Sequence, residues 1–193
     1  MAIDTVTAAI IERIRNSLGN QQGVPPDSFT ISLASPAGGA ENADLILFLY
    51  VVTPDPDLRN AERVRAGLNP GDPVRRFAPA VPLELRFLVT TGPGAPAGPG
   101  GLGRLSMAIL AIESGSPISL PGANQDAVWL SLLPLTSDEM SRVWGLFPNE
   151  NCRSSFAFRA APVWIEPRTP LVAAAPVTDD RFHSERLPEK VMP

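Results

Sequence analysis

The sequence predicts an α+β fold: one mixed β-sheet of about five strands flanked by three helices, with an extended C-terminal arm. Three observations carry that expectation. Helical and strand periodicities are interspersed without strict alternation, which disfavours a purely parallel doubly wound sheet. Hydrophobic residues make up 44% of 193 residues, enough to give one domain a sizeable core without staples. Residues 167–193 carry five prolines, one aromatic residue and no periodicity. The division is therefore a domain over 1–166 and a proline-rich arm over 167–193.

The elements follow in order. Residues 4–18 form an amphipathic pattern, with Ile3, Thr7, Ile10, Ile14 and Leu18 three or four apart, Asp4 as the expected N-cap and Gly19 as the expected stop. Ser28 to Ala34 alternates Phe29, Ile31 and Leu33 against polar residues and predicts a half-buried strand. Asp44 to Thr53 is apolar throughout and predicts a central strand covered on both faces. Leu58 to Leu68 predicts a short helix through Leu58, Ala61, Val64 and Leu68. Pro82 to Thr91 alternates again as a strand, and Gly92 to Gly101 reads as a flexible glycine-proline loop. Leu102 to Gly115 predicts a helix with Leu102, Leu105, Ile109 and Ile112 inward. Ala127 to Leu133 predicts a strand. Thr136 to Phe147 predicts a helix opened by the capping box Thr136-Ser-Asp-Glu139, with Met140, Val143, Trp144 and Phe147 on its apolar face. Ser154 to Ile165 is the last predicted strand.

Counting excludes much of conventional catalysis. The chain has one His (His183), one Cys (Cys152) and one Lys (Lys190), the last being the only basic residue that is not Arg. A zinc site needs three or four ligands, usually with His or Cys prominent. A Ser-His-Asp triad has only His183 to use, in the arm. A phosphate-binding Gly-Lys-Ser/Thr tripeptide is absent. Net charge is −4, which argues against a nucleic-acid partner. The longest apolar run, Leu45 to Val52, is far short of the ~20 residues that span a bilayer. The N-terminus lacks a basic flank for a secretory signal. The expectation is a cytoplasmic protein with no enzymatic activity, no cofactor, no metal, no nucleic acid and no membrane insertion.

The remaining motifs have plain structural readings. Gly98-Pro-Gly-Gly-Leu-Gly103 matches GxGxxG between a strand and a helix. It follows a long linker rather than a tight turn, and its prolines remove N–H donors. A small-molecule or nucleotide-binding module using the glycine-rich loop 92–103 stays the alternative function. Paired carboxylates are the remaining acid/base option, for an enzyme using carboxylates only, but Asp55/Asp57 and Asp138/Glu139 are better read as turn punctuation and as partners of a helix N-terminus. Arg75 and Arg76, with Arg63 and Arg65, form the only basic cluster and a candidate partner contact. Trp129, Trp144 and Trp164 read as core, and Cys152 as a buried or inert thiol.

Several segments together resemble one family. They are Ala2-Ile-Asp-Thr-Val-Thr, Val52-Thr-Pro-Asp-Pro-Asp-Leu-Arg-Asn60, Pro82 to Thr90, Leu102-Gly-Arg104, Leu133 to Trp144 and Ser154-Ser-Phe-Ala-Phe158. Over about residues 1–166 the chain resembles the cap, or tail-terminator, proteins of contractile injection systems of the antifeeding-prophage and Photorhabdus-virulence-cassette type. The resemblance implies a structural protein, a homo-hexameric ring that ends the inner tube and sheath, with sheath and inner-tube proteins as partners. Phe87 and Phe158 stand where that family often has tyrosine. The expected partner interface is Arg75, Arg76, Val163, Ile165 and Arg168, with the sheath met by an edge strand, Ser154 to Ile165, or by the arm that follows it.

Overall fold

Val6, Ile10, Ile14 and Leu18 recur every four residues, and all four are fully buried. They face inward from the first helix, α1 (Ala2–Gln22), in a computed structural model that describes residues 2–59, 64–65, 75–76, 80–114, 116–120 and 127–166. A 3₁₀ turn (Pro26–Ser28) leads to β1 (Ile31–Leu33) and β2 (Leu45–Pro54). Then come β3 (Val64–Arg65), β4 (Arg75–Arg76), β5 (Val81–Thr91), α2 (Pro99–Glu113), β6 (Ile118–Ser119), β7 (Ala127–Leu133), α3 (Ser137–Trp144) and β8 (Ser155–Ile165).

The main sheet runs β1-β2-β5-β8-β7-β6. β1 lies parallel to β2, and every other neighbouring pair is antiparallel, so the fold is α+β around one mixed sheet. Five strands do most of the pairing, and β6 adds a two-residue edge. β3 and β4 form a separate ribbon, Val64 opposite Arg76 and Arg65 opposite Arg75. Alternation splits the side chains between two faces. Leu85, Phe87 and Val89 of β5 and Phe158, Ala160 and Val163 of β8 point at α1 and α2 and build the main core with the α1 stripe. Phe87 and Phe158 sit opposite each other and stack with centroids 5.2 Å apart. Ring stacking accounts for this contact without any hydroxyl.

Two irregularities shape the sheet. Tyr50 is an extra residue where β2 slips against β5 between Leu49 and Val51. A second slip falls between Leu83 and Leu85, opposite the β8 residues from Ala160 to Val163. Pro162 lies inside that slip, where a missing backbone donor breaks no regular rung.

Several expectations need correction. Gly19 does not stop α1; the helix runs on to Gln22, and Gly23 at φ 66° ends it. There the Val24 N–H reaches back to the Gly19 carbonyl at 3.2 Å, a Schellman closure. Gly19 is instead a close approach, since a Cβ would meet the Val24 carbonyl oxygen at 2.9 Å. Asp4 lies inside the first turn and is not the cap. The helix expected over Leu58 to Leu68 is not what forms at its described positions: Val64–Arg65 is a strand. On α2, Leu102 and Leu110 face solvent, while Leu105, Ala108, Ala111 and Ile112 turn inward. Small residues let the helix lie closer to the sheet than the leucine pattern implies.

The stretch after β5 also differs from a floppy loop. The Gly92 N–H donates to the Asp44 carbonyl and the Gly94 N–H to the Ala43 carbonyl, each at 2.9 Å. A Cβ on Gly92 would collide with the Ala43 carbonyl, and one on Gly94 would lie 2.6 Å from the Asn42 oxygen. These glycines are there because two backbones touch. The same corner holds a shielded ion pair between Arg104 and Asp44. The other Asp44 oxygen accepts from the Thr30 N–H at 2.8 Å, and the Arg104 guanidinium lies 5.4 Å from the Phe29 ring centroid. One residue of α2 thereby ties the helix to the entries of β1 and β2.

Candidate partner interface

The face of the sheet away from α1 and α2 is divided. One half is covered by α3. Thr136 accepts from the Glu139 N–H, and the Glu139 carboxylate accepts from the Thr136 N–H at 2.8 Å, so the capping box read from the sequence forms in full. Those hydrogen bonds hold the Glu139 carboxyl below its ordinary range. Trp144 and Phe147 then pack on Leu88 with Phe48, Tyr50, Met140 and Val143 around them. The Trp144 indole N–H donates to the Ser155 hydroxyl at 3.0 Å, and that hydroxyl donates to the Arg153 carbonyl at 2.7 Å. Trp144 is thus an anchored core residue, as its spacing predicts.

The other half is open. Arg86 on β5 stands opposite Arg159 on β8, which stands opposite Ser131 on β7. Glu84 sits low between the arginines, at 2.6 Å from Arg86 and 3.5 Å from Arg159. The arginine side chains are 43% and 49% exposed against 16% for the glutamate, so the surface presents more positive than negative charge. Trp129 projects from the same face beside Ala161 and is 55% exposed. Tyr50 borders this area; burial raises its phenol above the ordinary range, the Arg86 charge opposes that, and Glu139 and Glu84 add to it. An exposed indole beside two arginines is the composition that protein interfaces favour at their centres.

Trp129 is therefore not a core residue, contrary to the expectation from the sequence. The signal was available: Val128 and Leu130 are buried, and period-two alternation puts Trp129 on the face of Ser131 instead. Cys152 is likewise exposed, not buried. The residues expected at a partner interface are scattered. Val163 is fully buried among the core side chains, so it cannot fill a partner's pocket. Ile165 is 39% exposed at the end of β8, opposite Val81. Arg75 and Arg76 form β4. Arg168, like His183, Lys190 and the rest of the arm over 167–193, lies outside the described residues. The last strand is also not an edge: β8 lies between β5 and β7, and the ends of the sheet are β1 and β6.

The other motifs resolve as local structure. Asp55 accepts from the Asp57 and Leu58 N–H groups at 3.0 and 3.3 Å, a side-chain turn. Gly98 precedes the first turn of α2, and the N–H groups of Gly92 and Gly94 are already engaged by backbone. Among the described residues no group of three or more His, Cys, Asp or Glu is placed to hold a metal ion. No described helix is long and apolar enough to cross a membrane.

No curated protein matches the chain. Among solved structures, the chain is similar to the sheath/tube terminator of an extracellular contractile injection system, PVC, in its extended state: TM-score 0.59, 18% identity, 96% of this chain and 66% of that one. It is also similar to the tube-terminating cap of the anti-feeding prophage, with TM-score 0.47 and 17% identity over 80% of this chain and 54% of that one. The chain thus spans just under two thirds of the first and about half of the second. The family model for the Pvc16 N-terminal domain matches residues 5–179, nearly the whole described fold, and the chain belongs to that family.

Proposed function

We propose that the chain is a structural cap: it assembles as a hexameric ring that terminates the inner tube and the sheath of a contractile injection particle. The observation that carries this reading is the family match across residues 5–179, supported by a fold shared with a sheath/tube terminator. The physical features suit the role. A terminator needs a rigid sheet and surfaces that recognise protein. Here the core is sealed against α1 and α2, and the opposite face displays Trp129, Arg86 and Arg159. The chain acts without catalysis or cofactor, with tube and sheath subunits as its partners. The sheath contact falls on a strand edge or on residues after Ile165. Of the described strands, β1 and β6 are the candidates, because they end the sheet, and a strand at a sheet's end is where another chain can add by backbone pairing.

The test is assembly. Native mass measurement of the full chain should give a species near six times the 20.5 kDa chain mass, alone or on tube ends. Particles made without the chain should have tubes of uncontrolled length, and adding it back should restore a narrow distribution. A chain that stays monomeric with tubes present and leaves their length unchanged overturns the reading.

A further inference from the structure

The two ends of the main sheet are finished differently. In β7, Leu130 and Leu132 turn their N–H groups away from β8. The Leu130 N–H donates to the Ser116 hydroxyl at 2.8 Å, and the Leu132 N–H donates to the Glu113 carboxylate at 3.2 Å. Val128, the outward residue before them, stands opposite Ile118 of β6. Glu113 closes α2, and Ser116 lies between that helix and β6. Three successive outward positions of β7 are thus occupied from within the chain.

At β1 the ladder to β2 uses the even-numbered residues. The Leu45 N–H donates to the Thr30 carbonyl at 3.3 Å, and the Ala34 N–H to the Leu47 carbonyl at 3.2 Å. Ile31 and Leu33 therefore aim their backbone groups outward, and among the described residues neither has a partner on that side. The Leu33 side chain is 55% exposed. Closure reaches only as far as Phe29, whose carbonyl accepts from the Arg15 guanidinium at 3.3 Å.

Stripped of their side-chain partners, the two ends would match. Each carries two outward residues two positions apart, about 6.6–6.8 Å along a strand. Laid on β7 of a second copy, β1 would continue the sheet, and a head-to-tail contact of that kind repeats from copy to copy. We propose that Glu113 and Ser116 hold the β7 edge shut against a second copy of this chain, so that strand addition to the main sheet is one-sided. β1 is then the end that takes a strand, and copies do not chain β1 to β7. This inference does not rest on the cap reading, since it concerns sheet continuation whatever oligomer the chain forms.

Sedimentation velocity over a range of protein concentrations reads the effect. In the double variant Glu113→Ala with Ser116→Ala, assembly beyond the unaltered chain's own oligomeric state should set in at a roughly hundredfold lower concentration, about tenfold for each amide freed. Hydrogen exchange on the larger species should show new protection at Ile31, Leu33, Leu130 and Leu132. Adding Leu33→Pro removes an outward N–H that the sheet itself does not use, and should restore the behaviour of the unaltered chain. Glu113→Gln keeps an acceptor at that position and should leave assembly as it is. Melting temperatures check that each variant is folded; if the double variant is not, Glu113→Ala alone decides, with a shift of about tenfold. Unchanged assembly in a folded variant overturns the proposal. Larger species that survive Leu33→Pro overturn it too, as does new protection that falls outside these two strands.

Discussion

The two faces of the sheet use the same strands for different ends. On the inner face, α1 and α2 cover Leu45, Leu85, Phe87, Phe158 and Val163 completely. On the outer face, α3 spans only eight residues and covers Leu88, leaving Trp129, Arg86 and Arg159 in water. The difference shows where stability and recognition reside. A side chain sealed on all sides contributes transfer free energy and packing, whereas an exposed indole contributes almost nothing until a partner removes it from water. The inner face should therefore be sensitive to substitution in the folded state, and the open half of the outer face in complexes.

The sharpest way to break this comparison is to empty the inner face. Phe158→Ala removes a fully buried ring stacked on Phe87 and should cost about 4–5 kcal/mol, read from chemical denaturation. A loss below about 1 kcal/mol would mean the inner face is not the main core. Trp144→Ala tests whether the α3 half is also core. It should cost about 3–4 kcal/mol, since the indole is buried on Leu88 and hydrogen-bonded to Ser155. Trp144→Phe should recover most of that and leave a deficit of about 1 kcal/mol for the lost donor.

The cap of α3 is a smaller lever on the same half. Thr136→Ala should cost about 1 kcal/mol of stability. Its partner Glu139 makes the effect depend on pH. Hydrogen bonds depress the Glu139 carboxyl in the folded state, so the unfolded chain binds the proton more readily. The contribution is present above the ordinary carboxylate range and is lost as pH falls through the folded value. The difference in melting temperature between the unaltered protein and Glu139→Ala should accordingly shrink on acidification; a difference that grows would contradict the capping geometry. The smallest folded-state effect belongs to Trp129→Ala, within about 0.5 kcal/mol by the same denaturation measurement. A large loss there would merge the open half with the core and erase the contrast.

Much of the fold was legible because periodicity reports burial directly. Ala127–Leu133 is bounded to the residue, the alternation over Pro82 to Thr91 forms β5, and Thr136-Ser-Asp-Glu139 announces a helix start that forms with both hydrogen bonds. Failures came where the cause was not local. Gly92 and Gly94 look like flexibility, yet they are small because Ala43 and Asn42 press against them from another strand's entry. Leu102 fits an inward helical stripe, but α2 rolls on its alanines and leaves that leucine outside.

By itself, then, the sequence determined the secondary structure of the long periodic segments, the α+β class, the capping of α3 and the family resemblance. These depend on which residues recur at 3.6 or 2 positions and on short-range hydrogen bonding. Tertiary structure alone decided the order of the strands, and with it that β8 is interior, that Val163 is core and that Arg86, Arg159 and Trp129 share one open surface. Strand order is set by contacts between residues far apart in the chain, as between Val81 and Ile165 or Glu84 and Arg159, and no local pattern encodes which strand a given edge will meet.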